Sequence, residues 1–167
     1  MSKRSLSMAG PESRGASILE EAAFHEFLER ALGEAQHGSA LCGLVMVQLR
    51  SAVVGPPPDL AQAAQILGQL VRQRDAVCVL ANGLVAIVLS QLERRSDAYV
   101  MLDRVEGFTR GANLPWVLRS GVSIFPFSGD SVSALWEACS ADLDGAISSD
   151  SWEHTIPRDT LHTHRAG

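Results

Sequence analysis

The chain has 167 residues, of which 46% are hydrophobic, and its formal net charge is −5. This length predicts one domain around a single core. The acidic balance argues against general binding to a nucleic acid polymer, because such binding depends on basic patches. No apolar run is long enough to span a bilayer, and the N-terminus lacks an apolar signal segment. We therefore expect a cytoplasmic protein without direct membrane insertion.

Composition divides the chain into a central domain and two polar ends. Residues 1–17 mix Ser, Arg, Gly and Pro, and residues 148–167 are similar but contain three histidines. Both ends are predicted to be flexible, which leaves residues 18–147 as the folded domain. The three cysteines lack the paired spacing of a zinc or redox site, so we expect buried free thiols. They are Cys42, Cys78 and Cys139.

Hydrophobic periodicity predicts the first elements. Apolar residues within 24–32 fall on one helical stripe that ends near the glycines of 33–38. Residues 41–49 form a compact apolar run that is typical of a buried strand. Asp59 can cap a second helix, and the helical spacing that follows predicts Arg72 in the last turn of that helix.

A β-hairpin is the clearest local feature of the chain. Residues 76–80 and 84–89 are rich in Val, Ile and Leu, and Asn82-Gly83 lies between them. Asn-Gly favours a two-residue type I′ turn, because both residues accept positive φ.

The remaining pattern predicts a helix over residues 98–108, an extended segment over 116–127 and a final helix capped by Ser131. The full order is α, β, α, β-hairpin, α, β, α, without an internal repeat. Helices that alternate with strands around one hairpin predict an α/β fold, in which helices cover a mixed central β-sheet in a single domain.

In this order the elements resemble those of GGDEF domains, which make cyclic di-GMP in bacteria. Residues 24–32 resemble the first long helix of that family, and residues 44–49 resemble its first strand. Residues 81–85, Ala-Asn-Gly-Leu-Val, stand where the family has GGDEF, and residues 121–126 resemble its S-x-G-x-A-x-x-P strand. The resemblance implies a nucleotide-cyclase-like fold over residues 18–147.

The residues that carry out catalysis in the family are absent here. Phosphoryl transfer needs divalent metal held by carboxylates, yet the metal-binding aspartate of the family corresponds to Gln48 and its signature acidic residue to Gly83. The two signature glycines correspond to Ala81 and Asn82, and the lysine of the last helix to Ala146. The resemblance therefore implies a degenerate GGDEF domain that is not an enzyme, with no catalytic residues and no metal.

An R-x-x-D motif, which forms the inhibitory site of the family, is retained. Arg72 and Asp75 stand at the family's spacing, with the aspartate six residues before the first signature position. A guanidinium can donate to O6 and N7 of guanine, and a carboxylate can accept from N1 and N2. The stretch around Arg104 resembles the family segment that supplies a second arginine. The resemblance implies cyclic di-GMP as ligand, held by Arg72, Asp75 and Arg104, with no other cofactor.

Two functions remain open. One is a catalytically inactive cyclic di-GMP receptor that signals to a protein partner, such as a polysaccharide synthase or motility component, in control of biofilm, exopolysaccharide or motility. The alternative is a nucleotide-independent interaction module, including a homodimer. In that alternative Arg72 and Asp75 are an ordinary exposed pair at a helix end, worth about 0.3 to 0.5 kcal/mol.

Overall fold

The computed structural model describes residues 15–112 and 114–148, which form five strands and four helices. The strands are β1 (Ser17–Leu19), β2 (Leu41–Ser51), β3 (Ala76–Val79), β4 (Val85–Leu92) and β5 (Trp116–Phe125). The helices are α1 (Glu21–Gln36), α2 (Leu60–Leu70), α3 (Arg95–Gly111) and α4 (Val132–Ser148). Their order confirms the predicted alternation of helices, strands and one hairpin.

The five strands form one sheet in the order β1-β3-β4-β2-β5. β1 runs parallel to β3, whereas the other neighbouring strands are antiparallel. Helices α1 and α4 bury their apolar side chains on one face of the sheet, and α2 and α3 cover the other face. The prediction of a mixed sheet covered by helices is therefore confirmed.

Two helix caps are as predicted. The Asp59 carboxylate accepts hydrogen bonds from the amides of Ala61 (3.1 Å) and Gln62 (3.3 Å) at the start of α2. The Ser131 hydroxyl accepts from the amide of Ala134 (3.0 Å) at the start of α4. Each side chain accepts from backbone amides of the first helical turn, which have no partner within the helix.

The hairpin forms where expected, but the prediction of a two-residue type I′ turn is wrong. The Leu80 amide donates to the Leu84 carbonyl (2.8 Å), so three residues form the loop. Within it Gly83 alone has positive φ, +88°, and its amide donates to the Leu80 carbonyl (3.0 Å). The Asn82 side chain instead accepts from the Leu84 amide (3.2 Å). This local bond favours a three-residue loop that ends in a left-handed glycine.

The structure also corrects two boundaries on the face that carries α2. Strand β1 was not predicted, and Ser17, at the end of the segment expected to be flexible, pairs with Ala76. Helix α2 ends at Leu70, so Arg72 lies beyond the helix rather than in its last turn. The cause is the extended conformation of Val71, with ψ of 178°. The predictions of flexibility for residues 1–14 and 149–167 fall outside the described residues.

The three thiols are buried and free, as predicted. Burial is the largest cause that raises the pKa of Cys42 and of Cys139 from 9.0 to about 12. For Cys42 the negative charges of Asp75 and Glu34 add to the rise. An unfolded chain ionises these thiols near their ordinary pKa, while the folded chain keeps them protonated to about pH 12.

Stability should therefore fall as the pH rises above about 9, because the unfolded state then binds fewer protons than the folded state. We expect the midpoint of urea unfolding to decrease steadily between about pH 8.5 and pH 10.5. The variant Cys139→Ala should have a lower midpoint throughout but a shallower dependence on pH. Equal pH dependence in the two proteins would show that this thiol does not contribute.

Candidate functional site

A β-bulge in β4 organises the site around the R-x-x-D motif. Leu89 pairs with Gly43 of β2, and Leu92 pairs with Leu41. One β2 residue therefore stands opposite two residues of β4, Ser90 and Gln91. Gln91 has φ of +52°, a left-handed conformation that is uncommon for a residue other than glycine. The bulge turns the Ser90 peptide groups toward the segment that leads into β3.

The Asp75 carboxylate is fully buried and binds four donors. Its Oδ1 accepts from the Ser90 amide (3.0 Å) and from Nη2 of Arg72 (2.9 Å). Its Oδ2 accepts from the Arg72 amide (2.9 Å) and from Nε of the same residue (3.1 Å). Because a carboxylate offers about four lone-pair positions, both oxygens are fully occupied.

The Arg72 guanidinium is fixed on one side and exposed on the other. Nη2 also donates to the Ser90 carbonyl (2.6 Å). Arg72 and Asp75 together therefore bind the backbone carbonyl and the backbone amide of Ser90. Nη1 has no hydrogen-bond partner among the described residues, and 31% of the side chain is exposed. Arg72 therefore presents a guanidinium that is held in one position and has one exposed edge.

An exposed ion pair at a helix end is therefore the wrong description of Arg72 and Asp75. The chain provides a comparison at the same spacing, since Arg94 directly precedes α3 and Asp97 lies in its first turn. There the side chains are 78% and 33% exposed, and Nε and Oδ1 are 3.8 Å apart. The first pair differs because its acid lies under the bulge of β4.

The other predicted ligand residue, Arg104, lies near the same chain segment. Its Nη1 donates to the carbonyl of Leu70 (3.3 Å), two residues before Arg72. This contact is long and exposed, so the guanidinium can leave it at little cost. The structure therefore brings the three predicted residues to one region, at the end of α2 and the start of β3.

A shallow cavity lies on the other side of the bulge. It has a volume of about 180 Å³ and includes Arg74, whose Nη1 donates to the Gln91 side chain (3.1 Å). The other lining residues are Phe27, Arg30, Ala31, Glu34 and Ser90. Sequence reasoning missed Ser90 and Gln91, because neither residue type marks a bulge and the partners of Ser90, which are Arg72, Arg74 and Asp75, come from a distant segment.

The loop of the hairpin that corresponds to the family signature contacts helix α1. The amide of Ala81, at the start of the loop, donates to Oε1 of Glu21 in α1 (3.2 Å). Gln48 lies within β2, opposite Arg119 of β5. Across residues 15–112 and 114–148 no group of three or more His, Cys, Asp or Glu side chains stands close enough to hold a metal ion. Nor does this part of the chain contain a helix long and apolar enough to cross a membrane.

Neither a protein-family model nor a curated protein sequence matches the chain. Solved structures do match, and the GGDEF domain of YfiN (TpbB) from Pseudomonas aeruginosa has a TM-score of 0.62 at 19% identity, with 78% of this chain and 90% of that one covered. The GGDEF domain of DgcB from Caulobacter crescentus, solved in complex with cyclic di-GMP, has a TM-score of 0.63 at 14% identity, with coverages of 81% and 86%.

A third similar structure is the diguanylate cyclase SiaD in complex with its activator SiaC, from Pseudomonas aeruginosa. Its TM-score is 0.60 at 17% identity, and the match covers 87% of this chain and 63% of that one. The chain therefore has the fold of a GGDEF domain, as its sequence resemblance implied. At these identities the likeness defines the fold alone.

Proposed function

We propose that this protein is a cyclic di-GMP receptor built on a GGDEF fold and without cyclase activity. The observation that carries the proposal is the Arg72 guanidinium, which is held in place by Asp75 and keeps an open edge, while Arg104 contacts the carbonyl of Leu70, two residues before Arg72. A fixed guanidinium loses little freedom when it binds the O6 and N7 acceptors of guanine. The similar DgcB domain, solved with cyclic di-GMP, supports the choice of ligand.

The three residues have different roles in this proposal. Arg72 is the principal contact to guanine, and Arg104 releases the Leu70 carbonyl to stack on a base or to offset phosphate charge. Asp75 positions Arg72, because its four acceptor positions are occupied in the free protein. Direct acceptance from guanine, as predicted from the sequence, requires Asp75 to release one of those donors.

The residues of the hairpin and of β2 do not suit cyclase activity. Gln48 and Gly83 offer no carboxylate where the family holds its metal, and a neutral amide is a weak ligand for Mg²⁺. Glu21 adds a negative charge next to the loop by accepting from the Ala81 amide. A triphosphate that approached this loop would meet an amide already bonded and a carboxylate that repels it.

A receptor needs a partner that responds to occupancy of the site. We assign this protein to the cytoplasm, where it signals to a polysaccharide synthase or motility component in control of biofilm or exopolysaccharide. A nucleotide-independent interaction module is the second candidate. The full occupancy of Asp75 favours it, because an acid already satisfied by its own chain has no need of a ligand.

Titration calorimetry with cyclic di-GMP tests the receptor. The variant Arg72→Lys keeps the positive charge beside Asp75 but loses the planar fork. We expect it to weaken binding by about 10- to 100-fold, as for the loss of one bidentate contact to guanine. Arg94→Lys changes an exposed arginine at the same spacing from an aspartate and should bind like the parent.

Two outcomes would contradict the proposal. If the parent protein bound no cyclic di-GMP at about 100 µM ligand, the interaction module would replace the receptor. If incubation with GTP and Mg²⁺ yielded cyclic di-GMP, Gln48 and Gly83 would not prevent cyclase activity.

A further inference from the structure

Arg119 of β5 is a buried arginine that binds no other residue of the described chain. The residue is 7% exposed, and its Nε is shielded from solvent without a hydrogen-bond partner. No ion pair within residues 15–112 and 114–148 includes its guanidinium. A guanidinium in a protein cannot lose its proton, and buried charges are normally paired because their removal from water is costly. Such a side chain indicates a site for an anion.

The Arg119 side chain lies on the face of the sheet that α1 and α4 cover. Alternate residues of β5 point to this face: the Ser123 hydroxyl donates to a carbonyl of α4 (2.7 Å), and Gly121 lies directly under the backbone of that helix. Arg119 follows the same alternation. Asp142, an acid of α4 that reaches β5, accepts instead from the Val122 amide (2.8 Å). The covering helix therefore brings an acid to the strand but does not pair it with the arginine.

Two polar side chains of β2 stand beside Arg119 on the same face. Gln48 is the direct partner of Arg119, so their Cβ atoms are about 4.5 to 5.5 Å apart. Arg50 is paired with Val117, which makes it the diagonal neighbour of Arg119, about 7 to 8 Å away. Both β2 residues share the face of the buried Met46, because alternate residues of a strand point the same way. Neither side chain has a hydrogen bond or an ion pair among the described residues.

We propose that Gln48, Arg50 and Arg119 bind a phosphate group without a metal ion. Each guanidinium can donate two parallel hydrogen bonds to phosphate oxygens, and the Gln48 amide can donate another. Two positive charges match a phosphate group, which carries about −1.5 to −2 at pH 7, better than they match the single charge of a carboxylate. Phosphate is therefore favoured over an acidic side chain of a partner protein.

The charge of this site separates it from the metal centre that the family has at the position of Gln48. Two guanidiniums repel a divalent cation, and they supply the positive charge that a bound metal would otherwise supply. The site also lies apart from Arg72, which precedes β3, whereas these residues lie on β2 and β5. The proposal therefore does not depend on the receptor function.

Titration calorimetry with sodium phosphate, in a buffer that contains EDTA, tests the site on the full chain. We expect the parent to bind with a Kd of about 1 mM. Arg119→Met replaces the guanidinium by an apolar side chain and should weaken binding by about 10- to 100-fold. Without phosphate its Tm should equal or exceed that of the parent, because the substitution removes a buried charge and breaks no bond within the described chain. Weaker binding then cannot be attributed to loss of the fold.

A second variant keeps the test decisive if Arg119→Met does not fold. Arg50 is exposed, so Arg50→Gln should fold normally and weaken phosphate binding by about 3- to 5-fold. Arg30→Met is the control: it removes the same charge from an exposed arginine of α1, which lies over the Phe27 ring, and should bind like the parent. Adenosine monophosphate distinguishes two sources of the group. Tighter binding than phosphate would assign the site to a nucleotide, and equal binding would assign it to phosphate itself.

Two results would overturn the phosphate site. One is a parent protein that binds no phosphate at about 20 mM, and the other is a folded Arg119→Met or Arg50→Gln protein that binds phosphate like the parent. Arg119→Met should bind cyclic di-GMP as the parent does, because Arg72 is unchanged. Failure of cyclic di-GMP to bind would thus overturn the receptor alone, and failure of phosphate to bind would overturn this site alone.

Discussion

Replacement of Asp75 by alanine should lower the free energy of unfolding by about 3 kcal/mol. The variant removes the acceptor of two backbone amides, those of Arg72 and Ser90, and of the Arg72 guanidinium. The Ser90 amide lies in buried surroundings and cannot reach water. Arg72 is partly exposed and regains some hydration, which keeps the loss below the upper end for a broken buried pair.

Urea unfolding monitored by circular dichroism measures this loss, with Asp97→Ala as the matched control. Asp97 stands three residues after Arg94, as Asp75 does after Arg72, but its side chain is 33% exposed. It accepts from the Arg94 amide (3.0 Å) at the start of α3, so its removal should cost about 0.5 to 1 kcal/mol. Equal losses in the two variants would show that Asp75 does not hold the bulge of β4.

The same contrast shows what the sequence can predict about this site. The spacing of Arg72 and Asp75 is visible in the sequence, and so is the hairpin that follows them. Burial of Asp75 is not visible, because it depends on Ser90, fifteen residues away along the chain, and on a bulge that no residue type marks. Two R-x-x-D segments of equal spacing thus differ in burial only because of what packs around them.

The helices and the longer strands were more predictable from the sequence than the turn between β3 and β4. Periodicity predicted the order of helices and strands because each element buries one apolar face, and the caps at Asp59 and Ser131 depend only on local bonds. The prediction of a type I′ turn failed because the Asn82 side chain accepts from the Leu84 amide, and the pairing of β3 with β4 then closes a loop of three residues instead of two. Strand β1 is too short for periodicity to detect, since it spans only Ser17–Leu19.

Close packing of α4 on β5 leads to a second large effect, at Gly121. A Cβ at this position would overlap the carbonyl oxygen of Cys139 and the amide nitrogen of Leu143, both backbone atoms of α4. The Cys139 thiol also donates to the carbonyls of Gly121 (3.3 Å) and Leu44 (3.4 Å), so the helix is held against two strands. The backbone of α4 cannot yield as the end of a flexible side chain would.

Gly121→Ala should therefore lower the free energy of unfolding by about 3 kcal/mol, because α4 must move away from the sheet to admit one methyl group. Gly145→Ala, on the same helix, is the control: its added Cβ meets nothing within 4 Å, and it should raise stability by about 0.5 to 1 kcal/mol. Urea unfolding of both variants gives the comparison. A Gly121→Ala protein as stable as the parent would mean that α4 does not approach β5 this closely, and the packing of that face would need revision.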